Sequence, residues 1–150
     1  MWDYPRPPRL EKVEHRIRVE FGGQTIADTT AAFRVLETSH PPTYFLPPGD
    51  VVAGCLTRTQ RSTYCEWKGM AHYYDVVVGD AVATDAAWGY LTPNRAFARI
   101  AGYVAFYPRA MDRCLVDEVE VEPQPGRYYG GWITPELVGP FKGGPGTQDW

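Results

Sequence analysis

The sequence predicts a single, mainly β domain. Its 150 residues are a common length for one folded unit with a core of its own. The 15 glycines and 14 prolines exceed average usage, and they indicate the many turns that an all-β fold needs. Short segments of alternating apolar and polar residues recur between these turn residues, whereas one segment alone favours a helix.

The first predicted hairpin begins after a Pro-rich start. Residues 17–21 alternate between apolar and charged side chains, as in a strand with one buried face. Gly22 and Gly23 form a two-residue turn, and residues 24–27 form the return strand.

The remaining elements follow from β propensity and turn residues. A single helical or 3₁₀ turn is expected in residues 51–56. A helix is expected in residues 92–100, with Thr92 as N-cap and Pro93 at its first position. Further strands are predicted at residues 33–37, 44–46, 62–67, 71–78, 81–83, 104–107 and 114–121.

The whole chain is expected to be one domain in three parts. Residues 1–15 form an extended N-terminal arm, residues 16–122 the β core, and residues 123–150 an irregular C-terminal arm. The last part is rich in Gly and Pro but keeps several aromatic residues. Since disordered tails are poor in aromatics, this arm is expected to be ordered.

Composition restricts the partners and the compartment. The net charge is −3 and basic residues are scattered, which disfavours nucleic acids and membrane surfaces as partners. The sequence shows neither a signal peptide nor a membrane span, so the cytoplasm is the expected compartment. Cys55, Cys65 and Cys114 have no Cys-x-x-Cys spacing, and reduced thiols without metal or other cofactor are expected.

Two segments concentrate chemically useful side chains. Strand alternation directs Glu66 and Lys68 to one face, where they can bind a polar ligand or transfer a proton. The alternative is an exposed charge pair beside a buried Trp67. The Pro-stiffened loop after residue 36 offers Glu37 and His40 for ligand contact or proton transfer, although these side chains can equally serve only to satisfy the loop.

An aromatic-lined slot is the third candidate feature. Aromatic residues are unusually dense in the predicted strands, and they can line a pocket for a planar or apolar ligand. Core packing is the alternative for any one of them. The set comprises Tyr44, Tyr64, Tyr73, Tyr74, Trp88, Tyr90, Phe106 and Tyr107.

Four motifs point to a known family: Tyr-Cys-Glu-Trp-Lys-Gly at residues 64–69, Tyr-Tyr-Asp-Val-Val-Val at 73–78, Ala-Ala-Trp-Gly-Tyr at 86–90 and Val-Ala-Phe-Tyr at 104–107. Over residues 17–122 the chain resembles the domain of unknown function four-two-seven, sometimes labelled nucleotidyltransferase-like. The resemblance implies a compact, Mss4-like antiparallel fold, with two twisted sheets enclosing a groove. It implies little about activity.

The leading hypothesis is a small-molecule-binding domain or a minor metabolic enzyme with an aromatic-lined groove. A non-catalytic interaction or homodimerisation module is the alternative, and nucleotidyl transfer is a third that rests on the family label. The candidate catalytic residues are Glu66, Lys68, His40 and Glu37. The candidate ligand-binding residues are Tyr44, Tyr64, Cys65, Trp67, Trp88, Tyr90 and Tyr107.

Overall fold

A computed structural model of the chain describes residues 9–37, 41–65, 67–124 and 130–134. Its strands are β1 (Arg9–Lys12), β2 (Ile17–Phe21), β3 (Gln24–Thr29), β4 (Phe33–Leu36), β5 (Thr43–Phe45), β6 (Leu56–Cys65), β7 (Gly69–Val78), β8 (Ala81–Gly89), β9 (Ala105–Phe106), β10 (Arg113–Val116), β11 (Val119–Glu120), β12 (Glu122–Pro123) and β13 (Trp132–Ile133). Three short 3₁₀ helices span Pro48–Asp50, Arg95–Ile100 and Pro108–Ala110.

The strands form antiparallel sheets, and the predicted mainly β fold is confirmed. Two sheets have four strands, in the orders β11-β10-β2-β3 and β6-β7-β8-β9. A third has the order β1-β4-β5, and β12 pairs with β13. The described residues thus divide among four sheets, where the family resemblance implies two. The additional sheets are β1-β4-β5 and β12-β13, whose strands are two to four residues long.

The first hairpin matches its prediction. Gly22 and Gly23 both have positive φ angles, 61° and 80°, which the turn between β2 and β3 requires and which glycine adopts at low cost. Along β2, the apolar side chains of Ile17, Val19 and Phe21 are buried. The alternation in the sequence therefore identifies the face of β2 that packs on the core.

The helix expected over residues 92–100 is shorter and of another type. The structure has a 3₁₀ helix at Arg95–Ile100 with Asn94, not Thr92, at the N-cap position, and Phe97 departs from helical geometry. The backbone N–H of Asn94 donates to the carbonyl of Lys68 at 2.8 Å. This bond holds the preceding residues against the β6–β7 turn, so they do not enter the helix.

The helical or 3₁₀ turn expected over residues 51–56 lies earlier in the chain. The structure has a 3₁₀ helix at Pro48–Asp50, and β6 already begins at Leu56. No helix among the described residues has the length and apolar character needed to cross a lipid bilayer.

Two bulges bend the central sheet near Tyr73 and Asp75 of β7. The register shifts between Arg58 and Ser62 on β6, and between Tyr74 and Val76 on β7 against β8. Asp85 in β8 has a φ of 49°, and its N–H donates to the Asp75 carboxylate at 2.8 Å. Bulges bend strands and redirect side chains, and these two lie next to the half of the sheet that carries the candidate site.

The sheet of β1, β4 and β5 separates two hydrophobic clusters. Tyr44 belongs to the larger cluster, whereas Val35 and Phe45 belong to the smaller one. Opposite faces follow from strand alternation, which directs neighbouring side chains such as Tyr44 and Phe45 to different sides. Trp132, in the described part of the predicted C-terminal arm, is fully buried in the larger cluster.

Candidate functional site

A cavity of about 170 Å³ lies between the β4–β5 layer and the β7–β8 end of the central sheet. It is open to solvent. Most of its lining residues are aromatic or apolar, although polar atoms make up the larger part of its exposed surface. The lining residues are Val35, Glu37, Pro41, Thr43, Phe45, Lys68, Tyr73, Trp88, Tyr90, Tyr107, Gln124 and Gly130.

The floor of the cavity is built from the end of β8 and its neighbours. Trp88 lies in β8 directly opposite Tyr73 of β7, and Tyr90 follows two residues later. The Tyr107 ring packs on Trp88 with 4.4 Å between ring centroids. The sheet register therefore gathers side chains that are far apart in sequence onto one face.

Phe45, from the β4–β5 layer, packs directly on this floor. Its ring lies 6.2 Å from that of Trp88, in an edge-on arrangement, and 6.0 Å from that of Tyr90. Aromatic rings at these separations attract one another in addition to burying apolar area. The cavity thus has a rigid aromatic frame, which suits a planar ligand.

Lys68 and Glu37 are the charged residues among those that line the cavity. The Lys68 Nζ lies 6.0 Å from the centroid of the Tyr90 ring, at the far edge of a cation–π contact. Within the described ranges no carboxylate forms a salt bridge with Lys68. Glu37, in contrast, interacts with another group of the chain.

The phenols of Tyr90 and Tyr107 stay protonated through the physiological range. Burial raises the pKa of Tyr90 far above its ordinary value. Burial also raises the pKa of Tyr107, and interaction with the neighbouring Tyr73 raises it further. Both residues therefore offer neutral hydroxyl groups, which can donate or accept a hydrogen bond.

Tyr73 is fixed by contacts outside the cavity. Its hydroxyl is 2.9 Å from Thr63 Oγ1, and the Arg61 guanidinium lies 4.3 Å from the centroid of its ring. Arg61 belongs to the bulged part of β6. The bulge thus places a cation over the outer face of Tyr73.

Residues 124 and 130–131 close one side of the cavity. A Cβ atom on Gly130 would lie 2.1 Å from Cη2 of Trp88, so only glycine allows this close approach. The Gly131 N–H donates to Gln124 Oε1 at 3.1 Å and ties the two parts of this wall together. The wall is thus packed directly on the aromatic floor.

Five of the predicted site residues line this cavity: Glu37, Lys68, Trp88, Tyr90 and Tyr107. Glu66 and His40 lie outside the described residues, so their predicted roles have no structural description.

The remaining predicted ligand contacts lie elsewhere. Tyr44 points to the other face of β5, where its ring packs on Trp132 at 4.9 Å. Tyr64 is 68% exposed and Trp67 40% exposed, both around the β6–β7 turn. Cys65 is half-buried and packs against the smaller cluster. None of these four residues is among those that line the cavity.

Several lining residues were not predicted as site residues. Tyr73 was counted among the aromatics, but its place in the site depends on the pairing of Tyr73 with Trp88, which sequence alone does not provide. Phe45 could have been found by alternation from Tyr44, with the opposite choice of face. Gln124 and Gly130 carry no local signal.

The described part of the chain contains no group of three or more His, Cys, Asp or Glu side chains placed to bind a metal ion.

These features define a class of protein: a mainly antiparallel β domain with a half-open aromatic cavity at one end of its central sheet. The model of a domain of unknown function, DUF427, matches residues 9–117, and the chain belongs to this family. No curated protein matches the chain. The matched region includes the floor of the cavity, whereas Gln124 and Gly130 follow it in the sequence.

Proposed function

We propose that this protein binds a small planar anion, of the size of a monocyclic aromatic carboxylate, in the aromatic cavity. The observation that carries the proposal is Lys68, a cation on the cavity wall with no salt-bridge partner among the described residues. A carboxylate in the cavity would give Lys68 a charge-assisted hydrogen bond.

The size of the cavity supports a single ring. A cavity of about 150 Å³ accepts benzene, and this one has about 170 Å³ with an opening to solvent. Trp88 and Phe45 supply the apolar surface for such a ring, since both line the cavity and pack edge-on against each other. The polar end of the ligand then lies towards Lys68 and the opening.

Charge distinguishes this proposal from an aromatic cage for an organic cation. Trp88, Tyr90 and Tyr107 resemble the walls of such a cage, and Glu37 supplies a carboxylate. Glu37, however, already interacts within the chain, and the ammonium of Lys68 would repel a second cation. An anionic ligand is therefore favoured.

The test is calorimetric titration with three probes of one ring each: benzoate, benzyl alcohol and benzyltrimethylammonium. We expect benzoate to bind best, with a Kd in the millimolar to submillimolar range that a ligand of this size allows. Lys68→Met should weaken benzoate about 10- to 100-fold, because a hydrogen bond to a charged group is lost. Lys12→Met, on the exposed end of β1, is the matched control and should leave affinity unchanged.

A second variant tests the location. Gly130→Ala places a methyl group against Trp88 and should abolish benzoate binding. Gly49→Ala is the matched control, because its new Cβ has nothing within 4 Å, and it should leave benzoate binding unchanged. Tighter binding of benzyltrimethylammonium than of benzoate, or unchanged benzoate affinity in Lys68→Met, would refute the proposal.

An interaction module, the alternative predicted from sequence, is also supported by one observation. Tyr64 and Met70 are cross-strand neighbours in β6 and β7, and both are exposed, as is Trp67 in the turn between them. Adjacent exposed apolar side chains are typical of protein contact surfaces. Sedimentation equilibrium of wild-type and Trp67→Ser protein tests it: a monomer in both at high concentration contradicts homodimerisation.

A further inference from the structure

A second cavity, of about 250 Å³, lies on the other face of the β1-β4-β5 sheet. Arg34 of β4 and Tyr44 of β5 line it, and they are paired directly across the two strands. Their sequence neighbours Val35 and Phe45 line the aromatic cavity. Since neighbouring residues of a strand point to opposite faces, this sheet separates the two cavities.

Thr134 lines the second cavity, and its hydroxyl has no partner in the part of the chain that the structure describes. The other two buried polar residues there are both paired: Thr29 donates to Asp50 at 2.7 Å, and Gln124 accepts from the Gly131 N–H at 3.1 Å. Thr134 is only 6% exposed. A buried hydroxyl without a partner is unfavourable, and a ligand in the cavity would supply the missing hydrogen bond.

Arg34 gives the second cavity a cationic wall. Its Nε and Nη2 groups both donate to Glu11 Oε1, and its guanidinium also interacts with Tyr44. A guanidinium has five N–H donors, so these contacts leave others for a ligand. The second carboxylate oxygen of Glu11 accepts from Arg9 at 3.3 Å. One carboxylate thus lies between two guanidinium groups, which together keep a net positive charge.

Asp117, the carboxylate among the described residues that line the second cavity, is already engaged. Its Oδ1 accepts from the Arg16 N–H at 2.8 Å, and its Oδ2 pairs with Nδ1 of His15, which also lines the cavity. These contacts hold the pKa of Asp117 below its ordinary value, so it is ionised at neutral pH and only accepts hydrogen bonds. The charge that the lining offers to a ligand is therefore the positive charge of Arg34.

The β10–β11 hairpin adds an apolar surface to this cavity. Val116 and Val119 are cross-strand neighbours there, and both line the cavity. A cavity of about 150 Å³ already accepts benzene, so this larger one has room for an organic group beside a charged one.

We propose that the second cavity binds a small organic oxyanion. Its carboxylate or phosphate group contacts Arg34 and Thr134, and its aliphatic part lies on Val116 and Val119. The charge-assisted hydrogen bonds to the oxyanion fix its position, and the valines favour organic anions over inorganic ones. This site does not depend on the function proposed for the aromatic cavity, because the two cavities share no lining residue.

The test follows the imidazole Hε1 signal of His15 by NMR during titrations with pentanoate, monobutyl phosphate and 1-pentanol. His15→Gln assigns this signal, and His72, which lines neither cavity, is the internal control. We expect an oxyanion to shift the His15 signal with a millimolar Kd and to bind at least about tenfold more tightly than 1-pentanol. The relative affinities of pentanoate and monobutyl phosphate distinguish a carboxylate site from a phosphate site.

Thr134→Val separates a ligand contact from a structural role. It keeps the shape of the side chain but removes the hydroxyl, so oxyanion affinity should fall about tenfold while 1-pentanol affinity stays within about twofold. Because the hydroxyl has no partner among the described residues, the urea midpoint of this variant should not fall. Thr57→Val, on the exposed face of β6, is the matched control and should leave affinity unchanged.

Arg34→Met should remove the preference for oxyanions over 1-pentanol. Equal affinity of wild-type protein for 1-pentanol and both oxyanions, or the absence of any shift at His15, overturns the proposal. Unchanged oxyanion affinity in Thr134→Val, or a lower urea midpoint in that variant, overturns it as well. Since Thr134→Val loses no internal hydrogen bond, the proposal stays testable even if Arg34→Met fails to fold.

Discussion

Replacement of Trp132 tests how strongly the segment after residue 124 is held in the fold. Trp132 is fully buried, its ring packs on Tyr44, and its Nε1 donates to the carbonyl of Phe106 at 3.2 Å. Removing a buried tryptophan side chain typically costs about 3–5 kcal/mol of unfolding free energy. Since domains of this size are stable by about 5–15 kcal/mol, we expect Trp132→Ala to lose a large fraction of the total.

Trp132→Phe should have an intermediate effect. Phenylalanine keeps most of the apolar surface but leaves the Phe106 carbonyl without its indole donor, which costs about 1–3 kcal/mol for a buried acceptor. Trp67→Ala is the matched control, because Trp67 is 40% exposed in the β6–β7 turn and its loss should cost about 1 kcal/mol or less.

Urea denaturation followed by circular dichroism measures all three variants. If Trp132 is part of the single core, its replacement should lower the midpoint and leave the slope unchanged, because the same surface is exposed on unfolding. A Trp132→Ala variant as stable as Trp67→Ala would refute the packing of residues 130–134 on the domain.

Two further predictions concern protonation and thiol reactivity. A hydrogen bond from the Arg16 backbone N–H and, to a smaller extent, interaction with His15 hold the pKa of Asp117 below its ordinary value. The ionised Asp117 therefore stabilises the fold at pH values above its unfolded pKa of about 3.9. This contribution is lost as the pH falls through the folded pKa of Asp117. Asp117→Asn should accordingly be less stable than wild type at pH 7, with the difference narrowing towards pH 2–3 in urea titrations; an undiminished difference at low pH would contradict the ionic origin. In the native state a thiol reagent should modify Cys65 first, because Cys55 and Cys114 are buried and burial raises the pKa of both thiols. Cys65→Ser should remove this fast reaction, and fast labelling of Cys114 in the folded protein would contradict its burial.

The fold was predictable wherever one face of a strand is buried and the other is not. The alternation of β2 gave its inward residues, and the glycine pair gave its turn. β6 shows the limit: its residues 57–61 are all polar and were not predicted as a strand, because this edge strand lies mostly in solvent. Its threonines favour β structure, but propensity without a buried face is a weak signal.

The sequence predicted the kinds of side chain in the candidate site better than it predicted which residues line the cavity. Lys68, Trp88 and Tyr90 were found because they lie in motifs dense in charged and aromatic residues. Tyr44 was predicted as a ligand contact, but its ring packs on Trp132 on the face of β5 that points away from this cavity. Neighbouring residues of a strand lie on opposite faces, so the choice between Tyr44 and Phe45 depends on which face meets the cavity. Tyr73 required knowledge of the strand pairing with Trp88, which is a tertiary property.

The family match does not cover the whole cavity, because the wall formed by Gln124 and Gly130 follows the matched residues. The aromatic floor lies within the matched residues 9–117, but the volume and the opening depend on a segment beyond them. Gly130 touches Trp88 so closely that a single methyl group there would change the shape of the cavity. The family match therefore covers the residues of the aromatic floor and Lys68, whereas the size of the cavity also depends on residues 124 and 130–131, which follow the matched region.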